Sequence, residues 1–141
     1  MLSLHHTHLM TSDVDATIRF WCDYFAADIV ADEDIAGARN VFLRVGEGRL
    51  HLYAQAPKHL GQGTVHHLGI ETDELVALTE RLKSAGLSVS EIRHHPAFDY
   101  AMVEAPDKLL LELFQPKLDK LSDRLRKSGY FASESIENRE D

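Results

Sequence analysis

The sequence predicts an α+β fold in which two tandem βαβββ modules place eight strands in a partly open, barrel-like sheet. Two observations predict it. A single offset of 61 residues lays the chain on itself, and each half passes through the same order of apolar periodicities. At that offset His6 falls on His67, Leu9 on Ile70 and Asp13 on Glu74. Val41-Phe42 falls on Met102-Val103, and Leu50-His51-Leu52-Tyr53 on Leu111-Glu112-Leu113-Phe114, with no insertion needed.

The elements follow in order. A strand is expected over residues 4–11, then a helix for which Ser12 is a good N-cap, with Asp15 three positions on approximating a capping box. Val14, Ile18, Trp21 and Phe25 follow at helical spacing as one apolar stripe. Strands are expected over 28–33, 40–45 and 49–54, the last two joined through Gly46-Glu47-Gly48, a hairpin signal. The second half repeats this with a strand over 65–71 and a helix over 73–85. That helix carries Leu75, Leu78, Leu82 and Ala85, with Gly86 where a C-cap glycine belongs. Strands over 87–94, 99–104 and 109–115 complete it, with Pro106-Asp107-Lys108 in the hairpin role. The expected organisation is therefore a module at 1–54, a linker at 55–64 containing Pro57, Gly61 and Gly63, and a module at 65–116. Residues 117–141 form a tail that opens with a short amphipathic helix on Leu118, Leu121 and Leu125 and then becomes polar. One module alone exposes the apolar face of its sheet, so two must share a core.

Side chains alternate across a strand, so parity assigns faces. Leu9, Leu68 and Ile70 belong with the helices, which leaves His6, His8, Met10, His67, Gly69 and Glu71 on the opposite, interior face. In the closing strands Leu50 and Leu52 oppose His51 and Tyr53, and Leu111 and Leu113 oppose Glu112 and Phe114. His5 and His66 fall on the helix-facing or edge side, and His94-His95, before Pro96, reads as loop. A carboxylate at position 112, amid Leu-Leu-Leu-Glu-Leu-Phe, is costly to bury unless a cation meets it. His6, His51, His67 and Glu112 are thus the candidate ligands of a divalent ion such as Zn, Ni, Fe, Co or Mn. His6, His67 and Glu112 alone would make a two-histidine, one-carboxylate set with open positions, leaving His51 as a fourth ligand or a catalytic base.

Composition bounds the function class. With 141 residues, 44% hydrophobic and 27% charged, the chain suits one small globular domain, or two modules sharing a core. A net charge of −8 argues against a nucleic-acid partner. No apolar run approaches the roughly 20 residues needed to cross a bilayer, and the N-terminus lacks the pattern of a signal peptide. A single cysteine, Cys22, cannot form an internal disulfide, so a reducing, cytoplasmic setting is expected, and its helical position beside Trp21 marks it as a packing residue.

Three stretches carry a resemblance: 6–13 (HTHLMTSD), 66–73 (HHLGIETD) and 105–114 (APDKLLLELF). With the duplicated βαβββ order they resemble the vicinal oxygen chelate superfamily, which includes glyoxalase I, methylmalonyl-CoA epimerase, extradiol dioxygenases and fosfomycin and bleomycin resistance proteins. The resemblance spans residues 4–116 and implies a glyoxalase-like fold, a homodimer, and His6, His67 and Glu112 in the places of the shared metal ligands. His51 stands where glyoxalase I has a carboxylate that also serves as base. The Pro-Asp-Gly turn common in the family is Pro106-Asp107-Lys108 here. Extradiol dioxygenases carry an acid–base Tyr where this chain has Met102, with Tyr100 two residues earlier on the same parity.

Three functions follow as expectations. The first is a metal-dependent lyase or isomerase acting on a small, oxygen-rich substrate that chelates the metal, with His51 or a nearby group moving the proton. The second is an Fe(II) ring-cleaving dioxygenase, with His51 or His8 as base. The third is a non-enzymatic drug- or small-molecule-binding resistance protein. His8, Tyr53, Tyr100 and Met102 are the expected pocket residues in any of them.

Overall fold

A computed structural model describes Met1, residues 4–61, Gly63 and residues 65–131. The chain divides into two compact units, residues 1–63 with 105–109, and residues 64–104 with 110–141. In chain order, β1 (Thr7–Thr11), α1 (Val14–Phe25), β2 (Asp28–Ile35), β3 (Ala38–Val45) and β4 (Gly48–Ala54) make the first repeat. The second consists of β5 (Leu68–Glu71), α2 (Leu75–Ser84), β6 (Arg93–His94), β7 (Phe98–Ala105) and β8 (Leu109–Pro116).

Each repeat builds a mixed four-stranded sheet, ordered β1-β4-β3-β2 in one and β5-β8-β7-β6 in the other. The repeat extends to register. β1 runs parallel to β4 with Thr7 opposite Leu50, and β5 runs parallel to β8 with Leu68 opposite Leu111, each residue 61 positions on from its counterpart. This parallel closure makes the first strand of each repeat a neighbour of its last, and that adjacency brings His6 near His51 and His67 near Glu112.

The apolar faces are as parity requires. Val41, Leu43, Leu50 and Leu52 are buried in the first sheet, and Ala101, Val103, Leu111 and Leu113 in the second. Against the first set lies α1, whose buried stripe is Val14, Thr17, Phe20, Trp21 and Phe25, with Ile18 only half-buried. Thr17 joins the stripe because its hydroxyl meets that of Thr11 at 2.5 Å, satisfying two buried polar groups at once. Leu75, Leu78, Thr79 and Leu82 are the buried residues of α2, while Ala85 is exposed. Gly86, at φ +87°, ends that helix in a Schellman motif: Gly86 N–H reaches Lys83 C=O at 3.0 Å and Leu87 N–H reaches Leu82 C=O at 3.1 Å.

Four local expectations need correction. The N-cap of α1 is Asp13, whose carboxylate accepts from Ala16 N–H at 3.0 Å. Ser12 is drawn away by Asp107, whose carboxylate accepts from the Ser12 hydroxyl at 2.5 Å and its N–H at 3.2 Å. The first strands begin at Thr7 and Leu68, so His6 and His67 each lie one residue ahead of the paired ladder. Residues 87–94 form no continuous strand: Val89 bridges Val103, the Ser90 hydroxyl takes the Met102 N–H at 2.9 Å, and regular pairing is confined to Arg93–His94. That hydroxyl supplies an acceptor a neighbouring strand would otherwise offer. The C-terminal segment is not one helix but a 3₁₀ turn (Leu118–Lys120) and a short α3 (Asp123–Ser128) capped by Ser122. Residues 132–141 lie outside the described residues.

The Pro106–Lys108 turn holds Asp107 at φ +59° and Lys108 at φ +60°. Asp tolerates this left-handed region, whereas a lysine pays for its Cβ there. Lys108→Gly is therefore expected to stabilise the fold by about 0.5–1 kcal/mol, the relief of left-handed strain exceeding the entropy glycine loses. A lower midpoint of urea denaturation would reject this reading of the turn.

Candidate functional site

The open face of the first sheet carries a run of imidazoles. His8 sits opposite His51 in register, and Phe42 sits opposite His51 on its other side. The His51 ring stacks on Phe42 at 4.5 Å with planes 17° apart, and lies 4.4 Å from the His8 ring and 5.7 Å from the His6 ring. Tyr53, half-buried on the same face, has its ring 5.7 Å from His8. His51 Nε2 is 2.7 Å from Asn40 Oδ1, and Asn40 is buried in β3. Sequence reasoning missed Asn40. The available signal was an amide inside an apolar strand, on the same parity as Phe42.

In the second unit the corresponding pair is His67 and Glu112. His67 Nε2 lies 3.7 Å from Glu112 Oε2, and both side chains are part-buried, 33% and 25% exposed. Among the described residues His67 is the only basic group within ion-pair distance of Glu112. Gly69, opposite Glu112 in register, keeps this spot open; a Cβ there would press on the Phe114 ring at 3.3 Å. A second symmetry accompanies the first. His5 and His6 meet through their Nδ1 atoms at 3.0 Å, and His66 and His67 do the same at 2.8 Å. His5 and His66, both exposed, thus contact the candidate ligands.

Tyr100, half-buried in β7, pairs with Arg93, and its ring lies 6.4 Å from Phe98. Met102 is half-buried in the same strand. His94 is held by Asp99 at 2.8 Å, and Lys117 meets the same carboxylate at 3.0 Å, while His95 stacks on Phe98 at 4.7 Å. These two histidines fasten the β6–β7 turn. Burial, then the charges of Asp23 and Asp28, push the Cys22 thiol up, as suits a packing residue.

A cavity of about 370 Å³ opens elsewhere in the first unit, at Thr11, Ser12, Asp13, Asp15, Arg39 and Gln55. Its charges are already matched, Arg39 binding Asp32 with two nitrogens and Asp15 with a third. It holds none of the candidate ligands.

The His67–Glu112 pair is compatible with a shared divalent ion. Two ligand atoms each about 2.1 Å from one ion stand roughly 3–3.5 Å apart, close to the 3.7 Å between His67 Nε2 and Glu112 Oε2. Among the described residues the structure draws the four candidates together as two pairs, with no group of three or more metal-competent side chains.

Burial, then the charges of His8 and His6, hold the His51 pKa below its ordinary 6.5. The unfolded chain therefore takes up this proton at higher pH than the folded one. His51 accordingly costs no stability above the ordinary imidazole range and an increasing amount as pH falls through it. In metal-free protein, His51→Gln is expected to flatten that acid-side loss, measured by urea denaturation at about pH 8 and about pH 5. An unchanged difference between the two pH values would refute it.

The family is shown by comparison. A family model described as the Glyoxalase/Bleomycin resistance protein/Dioxygenase superfamily matches residues 3–113. The chain belongs to this superfamily. Solved structures share its glyoxalase-like fold at low identity. A mutant of the fosfomycin resistance protein FosX from Listeria monocytogenes, complexed with Mn(II) and 1S,2S-dihydroxypropylphosphonic acid, is 19% identical with a TM-score of 0.72, covering 85% of this chain and 96% of its own. TnmS3, an antibiotic binding protein from Streptomyces, is 23% identical with a TM-score of 0.67, covering 83% and 99%. A glyoxylase/bleomycin resistance protein/dioxygenase domain from Frankia is 17% identical with a TM-score of 0.70, covering 83% and 99%. No curated protein matches the sequence. Among the described residues no helix is long and apolar enough to cross a membrane.

Proposed function

We propose that this glyoxalase-superfamily chain is a divalent-metal-dependent lyase or isomerase acting on a small, oxygen-rich substrate. Its ligands would be His6, His67 and Glu112, with His51 as a fourth ligand or as the base. The observation that carries the reading is the His67–Glu112 pair: a part-buried carboxylate with a single imidazole beside it, at a separation suited to shared coordination. Bound there, the ion would supply Lewis acidity toward a substrate oxygen.

The chain's own residues supply the rest. Glu112 holds its donor atoms on the sheet face opposite the fully buried Leu111 and Leu113, with His67 beside it. His51, stacked on Phe42 and kept short of protons by burial, is suited to accept one from an acidified C–H. His8 and Tyr53 lie beside it and would orient the substrate.

Phe42, His51, His8 and Tyr53 also present a face of rings, which favours a second reading as a binder of flat ligands. Elemental analysis of freshly purified protein, followed by O₂ uptake with a panel of catechols, separates the readings. Zn, Ni or Mn without O₂ uptake supports the lyase or isomerase, and Fe(II) with O₂ uptake supports a ring-cleaving dioxygenase. Absence of any metal, with ligand affinity untouched by His67→Ala, would move the protein to the binding class.

A further inference from the structure

We infer that Asn40 sets the tautomer of His51, keeping the proton on Nε2 and leaving Nδ1 as the bare nitrogen that takes a metal ion or a proton. The assignment begins at a backbone carbonyl. Ala38 C=O can only accept, and an Asn40 side-chain atom lies 2.9 Å from it, so that atom is the amide nitrogen Nδ2. The other end of the amide, 2.7 Å from His51 Nε2, is therefore the oxygen, which also can only accept. His51 Nε2 must then carry hydrogen. Turning the ring about Cβ–Cγ would put carbon Cε1, not Nδ1, where Nε2 stands, so Nδ1 cannot take over this bond while the ring stays stacked on Phe42.

Nδ1 is left with its lone pair and makes no hydrogen bond among the described residues. Burial of Asn40, 5% exposed, keeps water from competing for the amide. The repeat supplies an internal control. The residue 61 positions on from Asn40 is Ala101, and the one 61 positions on from His51 is Glu112. Where the candidate ligand is a carboxylate no tautomer has to be set, and the amide is absent. Asn40 is a positioning residue: it touches neither metal nor substrate but decides which nitrogen faces them.

The tautomer follows from hydrogen bonding alone; its use as a ligand or base rests on the metal-site reading above. The test is ¹H–¹⁵N long-range correlation on the full, metal-free chain with labelled histidine, at about pH 8, where imidazole is neutral. A protonated-type shift at His51 Nε2 and a bare-type shift at Nδ1 are expected. Asn40→Leu is expected to release this preference and to weaken Mn(II) or Zn(II) binding by about 10–100-fold. Asn40→Asp, which keeps an acceptor, should restore the Nε2–H form. A wild-type His51 protonated at Nδ1 overturns the inference, as does Asn40→Leu with tautomer and affinity unchanged. Should Asn40→Leu fail to fold, the wild-type spectrum decides. An Nε2–H tautomer in a protein that binds neither metal would uphold the inference and sink the metal-site reading instead.

Discussion

Replacing Glu112 by Gln is expected to weaken divalent-metal binding by about a hundredfold or more, beyond the 10–100-fold typical of losing an outer partner of a ligand. The metal-free fold should be as stable as before, or more stable. The two halves of this expectation have one cause. Glu112 stands in the middle of Leu109 to Phe114, its side chain only 25% exposed, with His67 as its one basic neighbour among the described residues. Holding a carboxylate there costs desolvation that a single imidazole at 3.7 Å, beyond hydrogen-bonding distance, offsets poorly. An amide of the same shape costs less to bury but offers a neutral oxygen in place of an anionic donor. Isothermal titration with Mn(II) and Zn(II), paired with urea denaturation of metal-free protein, reads both quantities. If Gln instead lowered metal-free stability and left metal affinity intact, Glu112 would be a structural ion-pair partner of His67. His67→Ala should match the metal result, because both donors of the pair are needed.

Much of this pair was legible in the sequence, for a physical reason. Strand periodicity is two, so the buried Leu111 and Leu113 place Glu112 on the other face without further information. The repeat then ties His67 to it, because β5 and β8 are neighbours in the same way as β1 and β4. What escaped depends on contacts between distant segments. Asn40 reaches His51 only because β3 and β4 pair with Phe42 opposite His51, a register that neither strand's own sequence specifies. Ser12 and Asp13 are both good N-caps, and the choice falls to Asp107, 95 residues away, which captures Ser12. Residues 87–90 alternate apolar and polar as a strand should, yet Val89 has only an isolated bridge to Val103. Periodicity reports a face to be buried; it does not supply the ladder partner.

The same repeat makes a stability prediction that needs no metal. Leu52 and Leu113 are equivalent positions, both fully buried, in β4 and β8. Each pairs with a residue of the first strand of its own repeat, Leu52 with Leu9 and Leu113 with Ile70. Each also lies on the sheet face from which a helix excludes water. Leu52→Ala and Leu113→Ala are each expected to cost about 2–5 kcal/mol, the lost transfer energy plus the cavity left where a close-packed sheet cannot collapse. Tyr53 and Phe114, one residue along and on the opposite face, are half-buried, so truncating them should cost less. Urea denaturation of all four alanine variants checks the contrast, with the Trp21 fluorescence of α1 reporting on the first unit. Equal costs on the two faces would mean that the open face is covered in solution, most simply by a second copy of the chain. A larger cost at Leu52 and Leu113 than at Tyr53 and Phe114 would leave the imidazole face free for a small ligand.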